Sequence, residues 1–431
     1  MRTIKIGMIG LGTVGGSTYS ILQSERKRLE SRIGARLAVQ KVADKRPEIR
    51  RTFSIPKAAF TTDAEEILKE KEIDIVVELI GGLEPARSFI MKALGAGKTV
   101  VTANKEVLAR SGAELVATAR RGGAGLYFEA SVCGGVPLLR GIHQGLTGNN
   151  ISEIYGIVNG TTNYILSKMS LEGMEFDEAL RKATKMGYAE ADPSYDIDGL
   201  DAAHKIAILT SIAFGKWVTV DKVFKEGIRD VAQRDIGYAR DLGYAIKLLA
   251  VGKRTKQGLE ARVHPTLIPV NHLLASVVDI YNAVFVNTDC AGPIVFYGTG
   301  AGGLSAGSAV VADILDASRS ILSNSKMGFE SGLAVETARQ IVDIEDLVAK
   351  YYIRVRVIDR PGALASIAGV FGQENISLAS VRQTEEKKKV VDLVFMTHEA
   401  LESNVRKALA RIADLKVVKE VSSCMRVEDR I

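Results

Sequence analysis

Short apolar runs alternate with helical stretches through the first third of the chain. Residues 4–9, 37–43, 73–77, 99–102 and 126–128 are runs of strand length rich in β-branched residues, and most of the segments between them carry helical periodicity. This alternation predicts a parallel sheet covered by helices on both faces. Pro85 falls where a first helical turn begins, and Gly95 and Gly97 fall where that helix stops. Beyond Ser131 the pattern changes to Gly-rich and amide-rich segments, acidic stretches and long amphipathic helices, which predicts a second domain built on other lines. A Gly-rich stretch at 298–307 leads into a small-residue helical pattern at 308–315. From Tyr351 onward the signals are strand, turn, helix and strand: 352–358, Asp359-Arg360-Pro361-Gly362, 363–371 and 376–383, with Lys387 to Lys389 expected at a solvated hairpin tip.

Composition narrows the class without naming a function. The 431 residues suggest two to four domains at roughly 100–200 residues each. With 46% hydrophobic and 25% charged residues, the chain fits a globular protein and not a disordered one. No run approaches the roughly 20 apolar residues of a membrane span, and the strand signal at Thr3 leaves no room for a signal peptide. The expectation is a cytoplasmic protein without a membrane partner. The net charge of +6 is mild, and the basic clusters at 45–51 and 387–389 lack interleaved aromatics, so no nucleic-acid partner is expected. Cys133, Cys290 and Cys424 are too far apart for a disulfide framework or a zinc site and are read as free thiols.

Gly10-Leu11-Gly12-Thr13-Val14-Gly15 is a GxGxxG fingerprint. It follows an apolar strand and opens a helical stretch at 17–29, so glycine backbone could approach a pyrophosphate at a helix N-terminus, as in a Rossmann-type domain. Gly10, Gly12, Thr13, Val14 and Gly15 are therefore cofactor-binding candidates. Asp44 ends the second strand, where a carboxylate accepts the adenosine ribose hydroxyls and favours NAD. Lys45 and Arg46 follow at once and could pair with the 2′-phosphate of NADP. The two signals conflict, and the expectation is tolerance of both nucleotides with a lean to NADP.

Between Gly187 and Asp201 five carboxylates fall within twelve positions. Asp198 is placed to N-cap a following helix on which Asp201 and Lys205, four residues apart, share a face. Ile206, Ala207, Thr210 and Ala213 make the rest of that helix largely apolar, which predicts a sheltered cleft for the pair. His204 points about 100° away and is read as packing. No base-bearing motif surrounds Cys133, so it is not read as a nucleophile.

The runs Gly156-Ile157-Val158-Asn159-Gly160-Thr161-Thr162-Asn163-Tyr164-Ile165-Leu166, Gly187 to Asp192 and Gly199-Leu200-Asp201-Ala202-Ala203-His204-Lys205 resemble the homoserine dehydrogenase family. So do Thr102-Ala103-Asn104-Lys105, Tyr127-Phe128-Glu129-Ala130-Ser131-Val132 and Val263-His264-Pro265-Thr266-Leu267-Ile268. The match spans about residues 4–320; Gly298 to Gly303 also fits, while Leu304-Ser305-Ala306-Gly307 departs from the family's usual Pro-Thr-Ala pattern. The resemblance implies reversible NAD(P)-dependent reduction of L-aspartate 4-semialdehyde to L-homoserine, within threonine, methionine and isoleucine biosynthesis. It implies Lys205 as proton donor, Asp201 as its orienter, Lys105 near nicotinamide and substrate, and Glu190 and Asp196 as substrate contacts. Thr102, Lys105, Gly300 and Gly302 join the cofactor contacts. Glu129, Val132, Gly134 and Val136 match a site for a monovalent cation, usually sodium, held largely by backbone carbonyls.

Asp359-Arg360-Pro361-Gly362-Ala363-Leu364, with Asn375-Ile376-Ser377 after a helix, resembles the ACT domain, a βαββαβ module. That resemblance implies an L-threonine effector near Asp359, Gly362, Ala363 and Asn375, and a homo-oligomer, dimer or tetramer. The expected α/β architecture is then a Rossmann-type parallel-sheet domain at 1–135, completed by about 298–330. An α+β catalytic and dimerisation domain at 136–297 and an ACT-like domain at 350–431 follow, the last reached through a charged, partly helical linker at 330–350. The other reading is a non-catalytic regulatory protein that responds to amino acid and nucleotide. A sensor, however, would not need the whole set Glu190, Asp201, Lys105 and Lys205.

Overall fold

The structure, a computed structural model, describes residues 2–325, 328–333, 338, 340–383 and 389–431. Lys387 and Lys388 of the expected hairpin tip lie outside the described residues, as do parts of the expected linker.

The first sheet contains β1 (Thr3–Ile9), β2 (Arg36–Ala43), β3 (Phe60–Thr61), β4 (Ile75–Glu78), β5 (Thr99–Thr102) and β6 (Leu126–Tyr127) in the order β3-β2-β1-β4-β5-β6. Its pairings are all parallel. The strands are apolar on both faces because both are covered: Ile4, Ile6 and Met8 of β1 and Ile75, Val76 and Val77 of β4 are fully buried. Strand β4 begins two residues later than the apolar run suggests. Asp74 ahead of it is tied to β1, giving its N–H to the Lys5 carbonyl and accepting the Lys5 N–H on its carboxylate. The helix expected at 17–29 is two helices, α1 (Thr13–Ser24) and α2 (Arg26–Ile33), which meet at Glu25. Pro85 precedes α3 (Ala86–Gly95), and Asn104 caps α4 (Lys105–Gly122) by accepting the Val107 N–H at 3.1 Å.

The second sheet is built from β7 (Ile151–Ile157), β8 (Phe224–Lys225), β9 (Tyr244–Arg254), β10 (Leu259–Pro269), β11 (Tyr281–Thr288) and β12 (Pro293–Thr299). The helices that accompany it include α5 (Gly160–Glu172), the short α6 (Ser194–Ile197), α7 (Leu200–Phe214) and α8 (Gln233–Asp241). The chain then returns to the first sheet as α9 (Gly303–Leu322), longer than the pattern at 308–315 implies. Close packing of α9 on α1 depends on two glycines. A Cβ on Gly303 would lie 2.9 Å from the Thr13 carbonyl oxygen, and one on Gly307 3.1 Å from the Thr18 nitrogen.

The C-terminal segment follows the expected βαββαβ order, with β13 (Val348–Ile358), α10 (Ala363–Gln373), β14 (Leu378–Gln383), β15 (Val390–Thr397), α11 (Glu402–Ala413) and β17 (Val418–Val427); a two-residue β16 (Ala400–Leu401) precedes α11. Its sheet does not stand apart. Strand β17 lies parallel to β10 at Thr266↔Arg426 and Leu267↔Val427, so the described residues form one eleven-stranded sheet with the central path β12-β11-β7-β9-β10-β17-β13-β15-β14. Ion pairs close the seam. Arg354 of β13 forks Asp235 of α8 at 2.6 and 3.0 Å, and Glu428 accepts from Lys253 at 2.9 Å and from Arg262. No helix among the described residues is long and apolar enough to cross a membrane.

One contact between the two halves can be tested directly. Gly112 of α4 faces Trp217, which is 1% exposed, and a Cβ there would sit 1.6 Å from the ring atom Cζ2. In an open helix, Gly→Ala would gain about 1 kcal/mol; here the clash should dominate. Gly112→Ala is expected to lower stability by about 1–3 kcal/mol and to shift the emission of the only tryptophan in the chain. Denaturant titration followed by fluorescence reads both, and an unchanged midpoint would contradict the packing.

Candidate active site

The fingerprint glycines do different jobs. Gly10 has φ +96°, and a Cβ on Gly15 would lie 2.1 Å from the Gly10 carbonyl oxygen, so both are needed for the turn itself. A Cβ on Gly12 would meet nothing within 4 Å; this is the open side from which a phosphate can approach backbone. Thr13, Val14 and Gly15 form the first turn of α1. Beside them a cavity of about 430 Å³ is bordered by Gly10, Gly12, Asp44, Lys45, Arg46 and Gly81 among others. Asp44 is buried there and accepts the Leu11 N–H at 2.8 Å, while Arg46 forks its two oxygens at 2.9 Å each. Burial would raise the Asp44 pKa, but Arg46 and the backbone N–H groups more than offset that and hold the carboxyl below its ordinary value.

The far end of this sheet carries the next group. Thr102, at the end of β5, is fully buried, donates its hydroxyl to Glu78 Oε2 at 2.7 Å and accepts the Asn104 N–H. The Thr102 side chain thus fixes the β5–α4 turn. Glu78 was not among the sequence candidates, although an acidic residue closing the apolar run of β4 was its signal. Burial drives its pKa up. Gly300 and Gly302 lie between β12 and α9. A Cβ on Gly300 would collide with the Asn282 amide at 2.0 Å, and Gly302, with φ +119°, leads into α9.

Lys105 opens α4 and reaches across to α7. Its Nζ lies 2.6 Å from Asp201 Oδ1, while Lys205 Nζ lies 2.7 Å from Asp201 Oδ2. One carboxylate with 4% side-chain exposure therefore holds two ammonium groups, one on each oxygen. Burial alone would raise the Asp201 pKa, yet the two lysines drive it well below the usual carboxylate range. Lys105 also loses solvation, but Asp201 outweighs that and raises its pKa. Lys205 Nζ makes a second hydrogen bond, to the Val158 carbonyl at 2.6 Å.

Asn159 completes the cluster. Its Oδ1 accepts the Thr162 N–H at 2.8 Å as the N-cap of α5, which turns its Nδ2 toward two carboxylates: Asp201 Oδ2 at 2.8 Å and Asp196 Oδ1 at 2.7 Å. Asp196 is raised in pKa by burial and then by the charge of Asp201, with Asn159 opposing. Asn159 stood inside a recognised motif without an assigned role. Tyr195, also unassigned, packs its ring 5.2 Å from Lys105 Nζ.

Some expectations are corrected. Asp198 does not cap α7: Gly199, with φ +80°, precedes the helix, and Asp198 instead pairs with Arg229. Glu190 stands exposed on the loop before α6, apart from the Asp201 hydrogen bonds. His204 packs as expected, its Nδ1 2.8 Å from the Leu200 carbonyl. Cys133 is buried and its thiol is pushed up to about 11 by that burial, which suits packing and not nucleophilic attack. In the loop at 129–136 the Glu129 carboxylate is committed to the backbone, accepting the Leu139 N–H at 2.9 Å and the Arg140 N–H at 2.8 Å. Val132 and Val136 are buried, and Gly134 has φ +46°. In the C-terminal module, Asp359 accepts from Gln383 Nε2 at 3.3 Å, Gly362 at φ +86° leads into α10, Ala363 is buried, and Asn375 is exposed with φ +57°.

Comparison with known proteins agrees with this arrangement. The model described as "Homoserine dehydrogenase, NAD binding domain" matches residues 10–129, the one described as "Homoserine dehydrogenase" matches 137–315, and the ACT domain matches 351–417. A homoserine dehydrogenase of Synechocystis sp. is 44% identical over 432 residues, 99% of each chain. The crystal structure of one from Thiobacillus denitrificans superposes with a TM-score of 0.94 at 41% identity, covering 100% of this chain and 99% of that one. A hyperthermophilic archaeal homoserine dehydrogenase mutant in complex with NADPH aligns with 73% of this chain and 98% of its own, at 29% identity and a TM-score of 0.63. Fold, nucleotide cradle and full-length similarity coincide, and the chain belongs to the homoserine dehydrogenase family.

Proposed function

We propose that the Asp201 cluster carries the proton-transfer half of the family's reaction, the reversible NAD(P)-dependent interconversion of L-aspartate 4-semialdehyde and L-homoserine. The observation that supports this is the single buried carboxylate binding two ammonium groups at 2.6 and 2.7 Å. The dinucleotide, when bound, supplies or takes the hydride. Reduction leaves negative charge on the former aldehyde oxygen, and a positioned ammonium can neutralise it. Lys205 is the proton donor in this reading: Asp201 and Val158 take two of its three N–H groups, leaving one for substrate. Asp201 holds it in place, and Lys105 adds positive charge on the nicotinamide side. Asp196 receives the substrate α-ammonium, with Glu190 as a further contact from its exposed loop. A regulatory protein without turnover would have no use for two lysines converging on one buried carboxylate.

For the nucleotide, Gly10, Gly12, Thr13, Val14 and Gly15 hold the pyrophosphate, with Thr102, Gly300 and Gly302 on the nicotinamide side. Asp44, Lys45 and Arg46 admit both NAD and NADP with a lean to NADP. In this reading a monovalent cation, sodium, is held by the main-chain carbonyls of Glu129, Val132, Gly134 and Val136, a role left to the main chain because the Glu129 carboxylate is engaged with backbone N–H groups. The division at 1–135 with about 298–330, 136–297 and 350–431 serves as the functional one. The enzyme works in the cytoplasm as a homo-oligomer. L-Threonine acts on it from the loop holding Asp359, Gly362, Ala363 and Asn375, where a left-handed glycine and the free N–H groups of α10 suit a carboxylate.

Three outcomes check these roles. Lys205→Ala is expected to lower kcat for homoserine oxidation by roughly 10²–10⁴; an unimpaired variant would remove Lys205 from the proton-transfer role. Asn159→Asp keeps the helix-capping oxygen but loses both N–H donors, whose hydrogen bonds to charged groups are worth about 1.5–3 kcal/mol. Its kcat/KM at neutral pH should fall roughly 10- to 100-fold. Asp196 must be ionised to bind an ammonium, so kcat/KM falls as pH drops through its raised pKa, and the variant should move that acid limb to still higher pH. An unmoved limb would mean that Asn159 does not tune Asp196. Finally, calorimetric titration of the full chain should show threonine binding that Asn375→Ala weakens, and no heat with threonine would refute the effector reading.

A further inference from the structure

Glu78, a fully buried acid, takes no part in the proton transfer itself. It closes β4, which lies between β1 and β5 in the parallel sheet, and is 0% exposed. Burying a carboxyl group is costly unless its hydrogen bonds are met, so an apolar residue would serve the packing better. Its two oxygens are spent in different directions. Oε1 accepts the Ile80 N–H at 2.9 Å, in the loop that leaves β4, and Oε2 accepts the Thr102 hydroxyl at 2.7 Å, at the end of the neighbouring β5.

Those two bonds belong to a closed ring. Thr102 Oγ1 accepts the Asn104 N–H at 3.0 Å, and Asn104 Nδ2 donates to the Gly82 carbonyl at 2.8 Å, which leads back along the loop to Ile80. The ring therefore joins the loop at 79–82 to the β5–α4 turn. Gly81 and Gly82 in succession, at φ +72° and +71°, give this loop a backbone freedom that the ring removes.

The two segments serve different parts of the reaction. The loop lies against the fingerprint turn: a Cβ on Gly10 would sit 2.7 Å from Ile80 Cγ2 and 2.8 Å from the Leu79 carbonyl oxygen. Leu79, Ile80 and Gly81 also border the nucleotide cavity. On the other side of the ring, Asn104 caps α4, whose first residue is Lys105, the partner of Asp201 Oδ1. We propose that Glu78 is a positioning residue for the reaction, holding the cradle loop and the start of α4 in one fixed relation so that Lys105 is correctly placed beside the bound nucleotide. This rests on the role of Lys105 given above, and Glu78 acts through Thr102 and Asn104.

Kinetics, nucleotide binding and hydrogen exchange on the full chain test this. Glu78→Ala opens the ring at both oxygens and should lower kcat for homoserine oxidation by roughly 10²-fold, the cost of a misplacement of about 1 Å. Glu78→Gln keeps an oxygen for the Ile80 N–H and offers Thr102 an amide, so it should recover most of that loss. Thr102→Val, close in shape, breaks the ring on the α4 side and should lower kcat as well. The route through Lys105 is read in a double-mutant cycle: in a Lys105→Ala background, Glu78→Ala should cost far less than it does alone. In the nucleotide-free chain, amide exchange at 79–84 and 103–107 should quicken in Glu78→Ala, and calorimetry should show weaker NADPH binding. The proposal is overturned if Glu78→Ala or Thr102→Val keeps the parental kcat, if Gln is no better than Ala, or if the loss is the same with and without Lys105. Unchanged exchange in both segments, or unchanged NADPH affinity, overturns it too. Should Glu78→Ala fail to fold, the same cycle and exchange measurements with Thr102→Val decide. Lys105→Ala alone at parental kcat would instead refute the assigned role of Lys105, and the positioning role falls with it.

Discussion

Asp201 is a buried carboxylate that could not remain ionised without help, and much of the architecture around it supplies that help. Desolvation would drive a lone buried carboxyl toward its neutral form. Lys105 and Lys205 reverse that by taking one oxygen each. They come from different domains, Lys105 from the first turn of α4, just after β5, and Lys205 from one turn along α7. The ion triad thus also clamps the start of α4, in the nucleotide-binding domain, to α7. Asn159 adds the third direction, since its capping bond to α5 fixes which way its amide faces. Three helix starts, those of α4, α5 and α7, converge on one carboxylate, and the positive ends of their dipoles favour its charge.

The same logic operates at the seam, where the buried charges are larger in number. Arg426, buried, is gripped by Glu402 and Glu226, and Arg354, also buried, by Asp235. Removing one partner of such a pair leaves an uncompensated charge, a loss of about 3–5 kcal/mol. These ion pairs therefore make the docking of the C-terminal module specific, where an apolar seam of similar area would tolerate sliding. With β10 and β17 hydrogen-bonded in register, the module is a continuation of the catalytic sheet. A run of direct contacts links the two: Arg426 of β17 donates to Glu226, and the Ile228 N–H, two residues on, donates to the Ile197 carbonyl of α6.

The parallel sheet and the fingerprint were legible because they rest on local rules: apolar runs of strand length, glycines at a turn, helix starts and stops. The pairing of Asp201 with Lys205 was legible for the same reason, being one helical turn. Lys105 came from the family resemblance, since no spacing rule links residues so far apart in sequence. The β10–β17 pairing was not legible because two residues of register on each strand leave no periodic trace. Asp198 misled for a physical reason. A carboxylate just ahead of a helix is a fair capping candidate, but Gly199 in the left-handed conformation takes that place and frees Asp198 for Arg229.

The nucleotide signals that conflict in the sequence are reconciled by geometry. Asp44 argues for a ribose with free hydroxyls and Arg46 for a 2′-phosphate, yet in the structure they form one ion pair, with Asp44 buried and Arg46 about half exposed. A ribose diol would compete with Arg46 for the carboxylate oxygens. A 2′-phosphate would be repelled by a bare carboxylate, but it would meet one whose charge is matched by a half-exposed guanidinium with N–H groups left over for the phosphate. On the proposed reading of this cradle, neither nucleotide would face an unpaired charge, and discrimination between them would rest on how firmly Arg46 is held. The Leu11 N–H keeps Asp44 in place whichever way Arg46 points, so the cradle can exchange one polar partner for another without rebuilding its backbone.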